Sequence, residues 1–191
     1  MIYIVDDIGK VVQSIRTGTT NSQGKWIGGQ FLDYNDDDVN GAPYYMYGHR
    51  QEISNRLTAK DIDNKQKKKK FPLIALKLDT IETVRGNVVD FKLNLVIATW
   101  SDPNLTADER YVKTFKPILY PLYEKFLTQL GNAGLFQWDS SLPQNVPPHT
   151  KVDRPFWGTP TDKANIANIF NDPTDAIEII DLRLSRIDTN C

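Results

Sequence analysis

The feature that most constrains the fold is an alternation of apolar residues with the polar residues Asp90, Lys92 and Asn94 in VVDFKLNLVIATW, which occupies positions 88–100. Its apolar positions recur at every second residue, at Val89, Phe91, Leu93, Leu95 and Ile97. Alternation with a period of two predicts a β-strand with one buried face. The apolar run FPLIALKL begins at Phe71, and a turn around Gly86-Asn87 lies between the two segments. The sequence therefore predicts a long antiparallel hairpin.

A long amphipathic helix is predicted to follow the hairpin. Thr106 and Glu109 match a capping box, in which each side chain satisfies a free backbone N–H of the first turn. The apolar residues behind it keep helical spacing: Tyr111, Val112, Phe115, Ile118, Leu119, Leu122, Tyr123, Phe126, Leu127 and Leu130. Pro117 and Pro121 lie inside this stripe, and each removes a backbone hydrogen bond. We therefore expect a kinked helix or two shorter helices.

Two further elements complete the predicted architecture. Apolar residues at helical spacing within residues 1–16 predict an amphipathic helix that ends at Gly18, although the β-branched pairs leave a strand as the alternative. The stretch from Asp175 to Ile187 alternates and predicts a final strand inserted in the sheet. The expected fold is α+β: a mainly antiparallel sheet flanked by an N-terminal helix and a long central helix, with a long loop or hairpin insertion at residues 17–70.

Composition limits the class of protein. A chain of 191 residues, 40 % of them apolar, is expected to form a single domain over residues 1–191 with a buried core. The net charge of −1 argues against a protein that coats nucleic acid. The only cysteine is Cys191, which excludes an intrachain disulfide and a cysteine metal cluster. No apolar run approaches the roughly 18 residues of a membrane span, so we expect no membrane partner.

Catalytic and metal-binding motifs are incomplete in this sequence. The two histidines, His49 and His149, lie in loop-like sequence, and no Gly-x-Ser-x-Gly elbow is present. Residues 18–25 depart from a phosphate loop, because five residues separate the glycines and Trp26 replaces the metal-binding hydroxyl. The acidic residues 33–38 lack the glycine and glutamate of a calcium loop. We predict no cofactor, no metal and no enzymatic activity. A small hydrolase is a minor alternative, because two catalytic carboxylates can be neighbours in the fold without any recognisable spacing in the sequence.

Residues 17–70 combine Gly, Asn, Asp and Pro with interleaved aromatic residues. A structureless loop of this length is unusual, so we expect short strands or a hairpin, with a helical turn weakly indicated at Ile53 and Leu57. Aromatic residues here and near residue 156 are compatible with base stacking, with an ordinary core and with a protein interface. We favour an interface because these segments have little core of their own. The predicted interface residues are Trp26, Phe31, Tyr44, Tyr45, Tyr47, Phe156 and Trp157.

A basic run precedes the first predicted strand of the hairpin. It comprises Lys65, Lys67, Lys68, Lys69 and Lys70. One interpretation is a solvated loop that guards the edge of the following strand. The other is a loop that contacts DNA phosphates without sequence preference. The second interpretation supports an alternative function, a nucleic-acid-binding accessory protein that uses this run.

The stretches FPLIALKLDT, GNVVDFKLNLVIATWSDPNLTADERYVKTFKPILYPLYEKFLTQL, HTKVDRPFWG and NDPTDAIEIIDLRLSRI resemble small virion proteins of tailed bacteriophages. The group is that of tail-terminator (tail-completion) or head–tail connector proteins, and the resemblance lies in the order of elements over residues 1–16 and 71–191. It implies an α+β subunit of a ring around the DNA channel, located in the virion and assembled in the host cytoplasm. It implies as partners copies of the chain and portal, adaptor or tube proteins, with the lysine run facing DNA.

Overall fold

A computed structural model describes residues 3–18, 43–61, 71–138, 146–157 and 174–187. They form a sheet of five strands in the order β1-β2-β3-β5-β4, with three helices in the same described ranges. The strands are β1 Tyr44–Gly48, β2 Leu73–Arg85, β3 Val88–Trp100, β4 Thr150–Arg154 and β5 Thr174–Ile187. The helices are α1 Ile4–Gly18, α2 Arg50–Asp61 and α3, residues 107–132. Strand β1 is parallel to β2 and the other pairs are antiparallel, so the predicted α+β fold is confirmed.

The predicted hairpin is formed by β2 and β3. Its turn consists of Gly86 and Asn87, and the φ of 61° at Gly86 is one that favours glycine. The five alternating apolar residues of β3 are all buried on one face of the sheet. The apolar face of α1 and that of α3 cover them, which confirms a helix at residues 4–18 and rules out the strand alternative.

The opposite face of the sheet is also covered at one end, which the expectation of a single buried face missed. Val96 and Ala98 of β3 lie on this second face and are fully buried. Helix α2 covers them with Ile53 and Leu57, the two residues at which a helical turn was indicated. The described part of residues 17–70 thus contains the edge strand β1, which is parallel to β2, and helix α2. Adjacent parallel strands require a crossover connection, and α2 is part of that connection.

Helix α3 is continuous over 26 residues, so the alternative of two shorter helices is wrong, and the kink stays a prediction. Its stretches are Ala107–Arg110, Tyr111–Leu119 and Tyr120–Asn132. The middle stretch is π-helical, with hydrogen bonds between residues five apart, and it contains Pro117. The wider π-helical turn accommodates this proline without ending the helix. At the N-terminus the capping box is confirmed, since Thr106 Oγ1 accepts from the Glu109 N–H and Glu109 Oε2 accepts from the Thr106 N–H.

A buried ion pair joins α3 to β5. Arg110 is 2 % exposed and Asp175 is fully buried. Arg110 Nη1 donates to Asp175 Oδ1 at 2.7 Å and to Ser101 Oγ at 2.8 Å. The other guanidinium nitrogens donate to three carbonyl oxygens of residues 102–105, and the hydroxyl of Thr114 lies 2.8 Å from Asp175 Oδ2. The two charges are therefore surrounded by hydrogen-bond partners that replace water.

Removal of one partner of this pair should destabilise the protein strongly. We expect Asp175→Ala to lower the free energy of unfolding by about 3–5 kcal/mol, because it leaves the Arg110 charge buried without its counterion. Urea unfolding followed by circular dichroism measures this change. Lys113→Ala is the control, since Lys113 pairs with Glu109 at 3.5 Å on the exposed surface of the same helix. It should cost less than about 1 kcal/mol, and equal costs for the two variants would contradict the prediction.

Candidate interface surfaces

The tyrosines of β1 have unequal access to solvent. The Tyr45 hydroxyl donates to the Val5 carbonyl oxygen of α1 at 2.8 Å. Burial, assisted by the nearby acidic side chain of Asp6, raises the pKa of Tyr45, so its phenol stays protonated and donates. Tyr44 packs partly against the cluster beneath α2. Tyr47 is 41 % exposed, with the Arg56 guanidinium 5.6 Å from its ring centre. Of the three tyrosines, Tyr47 is therefore the one that presents its ring at the surface.

Phe156 and Trp157 follow the edge strand β4 and point in different directions. Phe156 is 43 % exposed, and one face of its ring covers the Arg110 guanidinium at 3.6 Å. Trp157 is only 6 % exposed and belongs to the cluster beneath α2. Its Nε1 donates to Glu178 Oε1 at 3.1 Å. The ring of Trp157 is thus part of the interior of its own chain, and Phe156 alone of this pair offers an aromatic surface.

The remaining predicted site residues lie outside the described ranges. They are Trp26, Phe31, Lys65, Lys67, Lys68, Lys69 and Lys70. Their predicted roles, at a subunit interface and in contact with DNA, stay predictions.

Glu178 on β5 connects the Trp157 turn to three strands. Its carboxylate accepts hydrogen bonds from Trp157, from Lys77 of β2 at 2.9 Å and from Arg154 of β4 at 3.0 Å. Burial acts to raise the pKa of Glu178, but these three donors and the charge of Lys77 outweigh it and hold the pKa below its ordinary value. The carboxylate is therefore ionised at neutral pH and fixes β4 beside β5.

An exposed apolar edge, residues 78–85 of β2, was missed by the sequence analysis. Strand β1 pairs with β2 only as far as Lys77, and on the side of β2 away from β3 no strand in the described ranges lies beside residues 78–85. The apolar side chains of this outer segment are Leu78, Ile81 and Val84, which are 36 %, 57 % and 68 % exposed. We call residues 78–85 the outer β2 edge. A signal in the sequence is the length of the first arm of the hairpin, which runs from Phe71 to the turn at Gly86, whereas residues 17–70 were expected to supply only short strands or a hairpin.

The other edge of the sheet is β4, a strand that the alternation pattern did not predict. It pairs with β5 on one side, and on its other side the structure describes no further strand. Its side chains are mostly exposed and include Lys151, Asp153 and Arg154. The sheet therefore presents two unlike edges: one apolar and bordered by acidic residues, the other short and charged.

A cleft of about 980 Å³ lies between α3 and the segment around His149. His149 Nδ1 is 2.7 Å from the Pro147 carbonyl oxygen, which can only accept, so Nδ1 carries a hydrogen. In the neutral imidazole, His149 Nε2 then accepts from the Tyr123 hydroxyl at 2.6 Å. Burial, with the charges of Asp153 and Glu124, raises the pKa of Tyr123, which keeps this phenol protonated. Both imidazole nitrogens are thus occupied by fixed hydrogen bonds, an arrangement suited to structure.

The described lining of this cleft contains one side-chain hydroxyl besides that of Tyr123. Thr128 supplies a hydroxyl to the lining, and this hydroxyl donates to the Glu124 carbonyl oxygen at 2.8 Å. Within the described ranges, no three His, Cys, Asp or Glu residues cluster closely enough to hold a metal ion. The described helices also include none that is long and apolar enough to cross a membrane.

No protein-family model, no curated protein and no solved structure matches this chain.

The Glu178 network should make stability depend on pH. A carboxylate with a lowered pKa stabilises the folded state above the pKa of the unfolded chain, and this contribution is lost as pH falls through the folded pKa. We expect Glu178→Gln to destabilise the protein at about pH 7 and to cost less at an acidic pH below the lowered folded pKa, where the parent carboxylate is also protonated.

Urea unfolding at both pH values measures the difference between Glu178→Gln and the parent. Glu124→Gln on the exposed surface of α3 is the control, because Glu124 forms no ion pair among the described residues. A Glu178→Gln deficit that is equally large at both pH values would show that the carboxylate charge is not what stabilises this network.

Proposed function

We propose that this chain is a structural, non-enzymatic subunit that assembles with copies of itself into a ring at the head–tail junction or tail end of a tailed bacteriophage. The observation that carries this proposal is the outer β2 edge. An unpaired edge with exposed apolar side chains is a template for pairing with another chain. Leu78, Ile81 and Val84 are spaced three residues apart with polar residues between them, so the edge presents apolar side chains on both faces of the strand to a neighbour that adds to it.

The two unlike edges favour a head-to-tail contact between copies. The outer β2 edge contains Asp79, Glu82 and Arg85 and has a net charge of −1, whereas β4 at the opposite edge of the sheet contains Lys151, Asp153 and Arg154 and has a net charge of +1. Within the chain, Lys151 pairs with Asp153 and Arg154 with Glu178. Opposite charges on the two edges favour pairing of β2 of one copy with β4 of the next. A contact between two different surfaces repeats from copy to copy, and it closes into a ring when the rotation per copy divides a full turn.

The resemblance to tail-terminator and connector proteins supplies the biological setting of the proposal. In that setting the ring would lie in the virion, after assembly in the host cytoplasm. Its neighbours would be portal, adaptor or tube proteins, with DNA in the channel. Among the predicted interface residues that the structure describes, Tyr47 and Phe156 have substantially exposed rings and would add aromatic contacts to such neighbours. The fixed hydrogen bonds of His149 and Tyr123 agree with a non-enzymatic role.

The outer β2 edge should control assembly. We expect the parent chain to form closed rings at high concentration and Val84→Lys to remain monomeric, because a buried lysine charge opposes strand pairing. Thermal unfolding of Val84→Lys should match that of the parent monomer, since Val84 is 68 % exposed. Mass photometry and negative-stain electron microscopy measure the assembly state.

Val112→Lys is the matched control, because Val112 is 62 % exposed but lies on helix α3 and not on a strand. This variant should form rings like the parent. A parent chain that stays monomeric at every concentration would overturn the proposal. So would rings formed by Val84→Lys, or a symmetric dimer in place of a ring.

A further inference from the structure

We infer that a cavity on the outer half of the sheet binds a phosphate group between Lys92 of β3 and Arg183 of β5. The cavity has a volume of about 420 Å³, and both side chains line it. It lies on the face that α2 covers only at the other end of the sheet. This inference does not depend on ring assembly.

The two cations are direct neighbours with no described counterion. Lys92 and Arg183 are opposite each other in the β3–β5 register, so their side chains leave the same face of the sheet. Both are exposed, and neither side chain forms an ion pair or hydrogen bond with another described residue. Like charges directly opposite each other on neighbouring strands destabilise a sheet. An anion between them would remove this repulsion.

The carboxylate in the cavity is already engaged. Asp90 Oδ1 accepts from the Ser185 hydroxyl at 2.6 Å, and Asp90 Oδ2 accepts from Arg85 Nε at 2.8 Å. These two partners, Ser185 first and then Arg85, lower the pKa of Asp90, so the carboxylate is ionised at neutral pH. Its charge is therefore offset by Arg85. Lys92 and Arg183 are left as the two cations that an external anion would neutralise.

The lining indicates the class of ligand. A guanidinium and an ammonium side by side match the several oxygens of a phosphate group, with charge-assisted hydrogen bonds from each. The volume of about 420 Å³ lies within the range of about 300–1,000 Å³ for small-molecule sites. Ile81, Pro148 and Trp138 add apolar surface that an organic group attached to the phosphate would contact. The shared chemistry is a phosphate, carried by a small phosphorylated compound or by a nucleic acid backbone.

Inorganic phosphate is the first probe. We expect it to raise the melting temperature of the parent chain in a saturable manner, beyond chloride at equal ionic strength, because it binds the folded state. Lys92→Gln and Arg183→Gln should each weaken phosphate binding about tenfold. Without phosphate these variants should melt at or above the parent temperature, since each removes a repulsion. Arg183→Lys should retain part of the affinity, and Lys116→Gln on α3 should behave like the parent.

Several results would overturn the inference. One is a response to phosphate no larger than the response to chloride; another is parental affinity in both glutamine variants. A lower melting temperature of Lys92→Gln without phosphate would instead assign these side chains a structural role.

Two further probes distinguish the source of the phosphate. Adenosine monophosphate that binds more tightly than inorganic phosphate, while duplex DNA does not compete, would support a small phosphorylated ligand. Duplex DNA that displaces phosphate, with a salt dependence that falls in Arg183→Gln, would support a nucleic acid backbone. The monomeric Val84→Lys variant should retain the site, which separates failure of this inference from failure of ring assembly.

Discussion

The buried pair of Arg110 and Asp175 is the interaction on which the rest of the structure depends. It joins the first turn of α3 to the start of β5, and it also holds Ser101 at the end of β3 and Phe156 in the turn after β4. Burial of two charges is costly unless hydrogen bonds satisfy both ions. Here the guanidinium donates to five oxygens, and the carboxylate accepts from Arg110, from the Phe156 N–H and, through its other oxygen, from Thr114. This requirement for several partners at once fixes how the strands and the helix are placed.

The two ends of the sheet differ in how completely other elements cover them. At the end near the ion pair, helices cover one face, while α2 and Trp157 cover the other, and Glu178 links β2, β4 and β5. Beyond Lys77 the hairpin extends past β1 and α2, so its apolar edge and the Lys92–Arg183 pair reach solvent. The well-packed end supplies stability. The outer end carries both proposed binding surfaces, because unpaired backbone groups and unpaired charges remain there.

Sequence reasoning placed the interface on aromatic residues, and it could not separate those used inside the chain from those at the surface. Tyr45 and Trp157 contact α1 and Glu178 of their own chain, whereas Tyr47 and Phe156 keep exposed rings. An interior and a protein interface both bury aromatic surface, so composition alone gives the same signal for either. In the sequence, Val84 of the outer β2 edge cannot be told from a buried strand residue. Its exposure depends on which strand lies beside it, and the sequence does not show that.

The sequence by itself determined the elements whose causes are local. Alternation specified β3 and β5, helical spacing specified α1, and the Thr106–Glu109 capping box specified where α3 begins. Each signal involves residues within a few positions of one another. Tertiary structure alone decided the parallel pairing of β1, the burial of Arg110 against Asp175 and the position of Lys92 beside Arg183. These features join residues far apart in the chain, and their partners become neighbours only when the core has formed.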